Sequence, residues 1–289
     1  MTALPLCDAR AELGEGPSYD PASDAAWWVD ITGQTLLEHR FADGSTHVHA
    51  LPRMASLAAR IDADRQLLAM ENGLYVRTIA GGALRLLTPL EADNSVTRSN
   101  DGRVHPSGAL WIGTMGKNAE KAAGAIYWAR GAEVQRLFAD ISIPNAICFS
   151  PDGGTGFFAD TARNTIWRVA LDPATGLPRG APEVFVAPGK GAGWCDGAVM
   201  DQNGVLWNAA WGGAAVNGYG PDGALVRTIP VPARQPSCPC FVGPDASRMI
   251  VTTARQGMDP AARAADPGGG LTFALPGVFD GIIDPPFAL

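Results

Sequence analysis

Four side chains in this sequence could act together on a bound cation: Glu15 in LGEGP, Asn100 in RSND, Asn145 in IPNA and Asp196 in WCDG. Carboxylate and amide oxygens are hard donors suited to Ca²⁺, Mg²⁺ or Mn²⁺, and a carboxylate beside a reacting water can also take its proton. Taken singly, each has an ordinary explanation. Glu15 could be an exposed turn residue, Asn145 could cap the turn after Pro144, and Asp196 could close an Asx-turn. What joins them is position, because each stands five residues before the aligned letter of a repeated turn.

The repeat appears in six segments: YDPASDAAWWVD, IDADRQLLAM, VHPSGALWIGT, FSPDGGTGFFAD, MDQNGVLWNAA and VGPDASRMIVTT. Their aligned letters are Asp20, Asp62, His105, Ser150, Asp201 and Gly243, separated by 42, 43, 45, 51 and 42 residues. A period in the forties, with a turn and room for four strands, is the signature of a β-propeller blade. Two packed β-sandwiches would give no reason for six matched turns. Third strands are expected at GLYVR, AIYWA and TIWRV, and fourth strands at EVFVA and VRTIPV. The expected fold class is all-β, a six-bladed β-propeller with a metal site in the central channel, formed by residues 1–289 as one domain. The leading ALPLCDA would complete the sixth blade and leave no open sheet edge.

In such a fold the first strand of each blade runs along the channel. Five residues before the aligned letters stand Glu15, Leu57, Asn100, Asn145, Asp196 and Cys238. Two carboxylates converging on one axis repel each other, and a buried unpaired charge costs several kcal/mol, so a cation between them is the simplest resolution. The expected ligands are Glu15, Asn145 and Asp196. Asp201 reads differently, since its place is filled by Asp, His, Ser or Gly in different repeats and is chosen for turn chemistry.

Composition narrows the partners. A net charge of −7 without a Lys/Arg cluster argues against nucleic acid and anionic membranes, and no run of 18 apolar residues occurs. The start lacks a basic segment followed by an apolar one, and five scattered cysteines fit reduced thiols, so a cytoplasmic location is expected. Cys238 and Cys240 have no second pair at zinc spacing and read as structural thiols. No G-x-S-x-G elbow and no phosphate-binding glycine loop is present. Most tryptophans fall on strands and read as core, whereas Trp194 and Trp211 flank the site and could wall a pocket. A small molecule is the expected partner, and nothing in the sequence bears on oligomeric state.

Five stretches, LGEGPSYD, TRSNDGRVHPSGALWIGTM, IPNAICFSPDG, WCDGAVMDQNGVLWNAAWGG and CFVGPDASRMIVTTARQGMDP, together resemble the gluconolactonase/regucalcin (senescence marker protein) family of sugar lactonases. The resemblance spans roughly residues 13–275. It implies a six-bladed propeller with one divalent metal ion, its identity open among Ca, Mg, Mn, Zn and Fe, held by Glu15, Asn145 and Asp196. It also implies that Arg98 and Asn100 contact a sugar-acid lactone. Where many members carry an acidic substrate contact after GTM, this chain has Gly116, Lys117 and Asn118, with Glu120 as the candidate replacement. Lys117, in the loop over the channel mouth, could help gather a polyhydroxylated substrate, but reads more simply as a solvated surface residue. Ala146 stands where members often have glycine, and Cys195 where they often have proline.

The resemblance thus implies hydrolysis of an aldonolactone to the open acid, with Asp196 as proton acceptor and Arg98 and Asn100 orienting the ring. Two other readings are a non-catalytic metal-binding propeller, against which Arg98 and Asn100 argue, and a different propeller esterase, which would place more carboxylates or a histidine on the channel.

Overall fold

Short strands, the inner ones buried along nearly their whole length, punctuated by Asx and glycine turns, fold antiparallel onto their sequence neighbours. In the computed structural model, which describes residues 2–289, each repeat becomes one four-stranded antiparallel sheet, and six such sheets form the blades of a β-propeller. Blade 1 runs from the channel outward as Gly14–Asp20, Ala25–Asp30, Thr35–Arg40 and Thr46–Ala50. The innermost strands of the other five are Ala55–Arg60, Thr97–Val104, Pro144–Phe149, Trp194–Met200 and Pro236–Val242. Large side chains fill the spaces between adjacent sheets, as where Trp111, Ile126, Phe149 and Phe158 meet between blades 3 and 4.

Blade 6 is closed by both ends of the chain. Leu4–Pro5 pairs with Phe273–Ala274, which pairs with Arg248–Thr253, so the N-terminal segment supplies the outermost strand as its sequence suggested. At the other end, residues 276–289 cross the face where the innermost strands finish. The tail donates from the amides of Phe279 to Ser247, Phe287 to Arg60 and Ala288 to Gly108, at 2.7–2.9 Å. It sets Asp284 against the buried Arg103 guanidinium beneath the channel. That end is covered, and the end where the innermost strands begin is left for access.

The repeated turns behave as scaffold. Asp201 Oδ1 accepts from the amides of Asn203 and Val205, both at 2.9 Å, and Oδ2 accepts from buried Trp207 Nε1 at 2.9 Å. Asp20 and Asp62 accept from the amides of Ala22 and Asp64 two residues on, each at 3.1 Å. Gly243 has φ 92°, a conformation that closes its turn without a side chain.

Every innermost strand also carries a break in its ladder, and here the structure corrects the sequence count. Glu15 and Asn145 occupy the last rung before the break, opposite Val29 and Ala159. Asn100 and Asp196 lie one residue further on, inside the break, because Ser99 and Cys195 take the last rung. Turns of different length follow the strands, so counting back from the turn merges two adjacent positions into one.

Asp201→Ala should lower stability by about 1–3 kcal/mol, because it leaves a buried indole N–H and a turn amide without acceptors. A shift of the urea midpoint at unchanged slope would show this, and an unchanged midpoint would deny the turn its scaffold role.

Candidate metal centre and substrate cleft

Blades 1 and 4 face each other across the channel and share one local design. After Glu15 the backbone turns through Gly16, and after Asn145 through Ala146, both at φ 52°. A Cβ on Gly16 would sit 2.2 Å from the Ser56 carbonyl oxygen, so no side chain fits there. Ala146 carries a left-handed conformation that costs an L-residue roughly 1–2 kcal/mol, partly offset by burial of its methyl group, worth about 0.8 kcal/mol. Upstream, Asp30 accepts from the amides of Glu12 and Leu13 at 2.7 and 3.0 Å. Asp160 does the same for Ser142 and Ile143 at 3.2 and 3.0 Å. These aspartates hold the chain two residues before Glu15 and Asn145, and each lies fifteen residues after the group it supports. The equal spacing was visible in the sequence and its meaning was not.

A chain of hydrogen bonds then fixes the amide of Asn145. Arg98 Nη1 donates to Asn100 Oδ1 at 2.8 Å, and Asn100 Nδ2 donates to Asn145 Oδ1 at 3.1 Å and to the Pro144 carbonyl at 3.0 Å. Asn145 Nδ2 donates to Thr161 Oγ1 at 2.8 Å, and Thr161 donates to the Cys195 carbonyl at 2.7 Å, next to Asp196. In blade 5, Asn208 Nδ2 donates to the carbonyls of Asp196 and Gly197 at 2.6 and 3.1 Å, which holds the break carrying the carboxylate. Asn100 is therefore occupied with orienting Asn145, whereas Arg98 keeps donors beyond Nη1 for a ligand.

Glu15 and Asp196 are both buried, 6% and 5% exposed, and among the described residues neither forms an ion pair. Burial pushes the Glu15 carboxyl up from 4.5 to about 8, with the charge of Asp101 adding to it and Arg98 opposing. Asp196 is raised well above 3.8, again first by burial and then by the charges of Glu15 and Asp101. Arg98 is pulled down to about 10 by burial and remains a cation at neutral pH. Asp101 is the residue that sequence reasoning passed over. It accepts from the Ile147 amide at 2.8 Å, tying blade 3 to blade 4, and burial raises it to about 6. Its place after Asn100 in RSND was the available signal.

Glu15, Arg98, Asn100, Asn145 and Asp196 form the floor of a cleft of about 580 Å³, within the range of small-molecule sites. Leu13, Met115, Ile143 and Trp211 give it apolar walls, and Lys117, Asn118, Gln235 and Gln256 give it a polar rim. Trp211 thus walls the cleft, whereas Trp194 is about half exposed and does not line it. Glu120 is not brought to the cleft. The loop curls back through Ala119 and Ala122 at φ 58° and 55°, and the Glu120 carboxylate accepts from the amide and side chain of Asn118, both at 3.0 Å. Lys117, expected to be a free surface residue, is instead held at 2.8 Å by Glu71. Cys238 and Cys240 are buried thiols that burial keeps protonated.

The donor set suits a hard divalent cation. Two carboxylates that burial disfavours as anions, joined by an amide oxygen held in place through its own nitrogen, would be relieved by a +2 charge and by little else in the cleft. Among the described residues no three His, Cys, Asp or Glu side chains form a metal-type group, and the third protein donor beside the two carboxylates is the neutral oxygen of Asn145.

Comparison with known proteins identifies a family. Residues 13–255 match the family model described as the SMP-30/gluconolactonase/LRE-like region. A Rhizobium meliloti protein assigned as a sugar lactone lactonase is 51% identical over 98% of this chain and 96% of its own length. An L-arabinolactonase of Azospirillum brasilense is 36% identical over 93% of this chain and 89% of its own. A solved structure from Agrobacterium tumefaciens, described as a calcium-binding protein, regucalcin, superposes with a TM-score of 0.97 at 49% identity, covering 100% of this chain and 98% of that one. The chain belongs to the SMP-30/gluconolactonase/LRE-like family.

Proposed function

We propose that this protein hydrolyses a sugar-acid lactone to the open aldonic acid, with one divalent metal ion held by Glu15, Asn145 and Asp196. The observation that carries this reading is the pair of buried carboxylates without ion-pair partners on the floor of a cleft lined by polar donors. The names of the relatives, a sugar lactone lactonase, an L-arabinolactonase and a calcium-binding regucalcin, support the substrate class and the cation.

A divalent cation bound there supplies Lewis acidity, polarising the lactone carbonyl and offsetting the charge that grows on its oxygen. The chain's own groups do the rest. Arg98, donating from the nitrogens not committed to Ser99 and Asn100, holds a ring or carbonyl oxygen and fixes the angle of approach. Asp196 accepts a proton as a water oxygen bonds to the carbonyl carbon. When the bond from that carbon to the ring oxygen breaks, the same carboxyl returns the proton to the departing alkoxide. Proton transfer of this kind is worth about 10²–10⁴-fold. Asn100 keeps Asn145 oriented, and Trp211 offers a flat apolar wall to the carbon face of a sugar ring.

Two tests follow. In chelator, the folded chain keeps a proton on Glu15 that the unfolded chain loses above about pH 4.5. The stabilising contribution of that proton is then fully present below that pH, declines as pH rises, and is lost above about 8. The melting temperature of chelated protein should decline between pH 5 and 8, Glu15→Gln should flatten the decline, and saturating Ca²⁺ or Mn²⁺ should reverse it. A decline that neither change alters would remove Glu15 from the site. In a pH-stat, metal-restored protein should open pentono- or hexonolactones and chelated protein should not. Asp196→Asn should lose about 10²-fold or more, while Asp201→Ala keeps most turnover. If the restored protein opens no lactone faster than buffer, the reading as an enzyme fails.

A further inference from the structure

The charges around the cleft are distributed unevenly. Four charged side chains line it: Glu15, Asp196, Arg98 and Lys117. A divalent cation would balance the two carboxylates; of the two basic groups, both from blade 3, Arg98 has no ion-pair partner among the described residues and Lys117 shares its charge with Glu71. The sector opposite, on blades 5 and 6, carries Trp211 and the uncharged Gln235 and Gln256. Blade 2 contributes no lining residue and has apolar Leu57 where other blades place polar groups. Lys117 covers that sector.

Lys117 is also held in place. Its backbone amide donates to the Val96 carbonyl at 2.9 Å, and its Nζ lies 2.8 Å from Glu71 Oε2, in the turn after the blade 2 strand Arg65–Met70. The two side chains are about a third and a fifth exposed. One ammonium hydrogen faces Glu71, and two remain for a ligand at the rim. Glu71 therefore fixes where the cation stands and competes only in part for its donors.

Resting on the lactonase reading above, we propose that Lys117 selects lactones bearing an anionic substituent, a carboxylate or a phosphate, at the end of the molecule away from the ester being opened. Arg98 deep in the cleft takes the ring, and Lys117 at the rim takes the distal anion. The acid Glu120 does not line the cleft, and its carboxylate is taken up by the amide and side chain of Asn118 at the rim.

The test uses the full-length Ca²⁺-loaded protein and three probes: gluconolactone, the 1,4-lactone of glucaric acid and 6-phosphogluconolactone. Wild type should show a higher kcat/KM for at least one charged lactone than for the uncharged one. Lys117→Met should cut that ratio by about two- to fivefold, as expected for a partly exposed ion pair. Glu71→Gln, which frees the ammonium, should raise it, and the lactone with the larger response to Lys117→Met identifies the anion. Binding is read separately by calorimetry with the acids themselves. Glucarate should bind wild type more tightly than gluconate, and Lys117→Met should abolish the difference. A ratio unchanged in Lys117→Met, with equal affinities for the two acids, overturns the proposal. If no lactone is opened at all, the lactonase reading falls, and the calorimetric comparison still decides the role of Lys117.

Discussion

Two buried carboxylates aimed into one channel, with no ion-pair partner among the described residues, are the condition around which the rest of the molecule is arranged. Each is disfavoured as an anion by burial and by the charge of Asp101, and Asp196 also by that of Glu15. Arg98 lowers both without pairing with either. A core of this kind is less stable than an apolar one of the same size, since uncompensated buried charge costs several kcal/mol. Its retention makes sense if a small cation completes it. Asn145 extends the same logic, because a neutral amide oxygen adds a ligand without adding a third repelling charge.

The propeller meets this condition through backbone geometry more than through side-chain choice. A ladder break in each innermost strand turns side chains out of the pleat and toward the axis. In blades 1 and 4 the break begins with a left-handed residue and is steadied by an aspartate one strand outward, so a carboxylate and an amide are presented from opposite sides by the same device. Blades 3 and 5 place Asn100 and Asp196 one residue deeper. The hydrogen-bond chain from Arg98 to the Cys195 carbonyl then links three blades, so the amide of Asn145 cannot rotate without breaking bonds on both sides. At the far end the C-terminal segment and the Arg103 to Asp284 pair cover the channel, which leaves a cleft with one mouth.

Much of this was legible in the sequence, for a physical reason. A blade cannot bury its faces alone, so the turn that starts each one recurs, and the recurrence revealed fold, blade number and the strand supplied by the N-terminal segment. Polar residues at a position that should be apolar revealed Glu15, Asn100, Asn145 and Asp196. What stayed hidden depended on loop shape or on contacts between blades. Glu120 is close to the cleft in sequence, but left-handed turns at Ala119 and Ala122 carry it away. Lys117 is anchored by Glu71, 46 residues earlier in the chain and on another blade, a contact that no local pattern encodes. Asp101 was overshadowed by its neighbours because it contacts a backbone amide, and the ladder break divided one apparent position into two.

The central claim is that Glu15, Asn145 and Asp196 form one cation site, and titration calorimetry of Ca²⁺ into chelated protein tests it most directly. The account predicts a single site per chain, with affinity at least about tenfold weaker in Asp196→Asn, since removing one charged ligand from a buried set costs more than 1.4 kcal/mol. No binding to the wild-type chain, or binding that Asp196→Asn leaves unchanged, would contradict it.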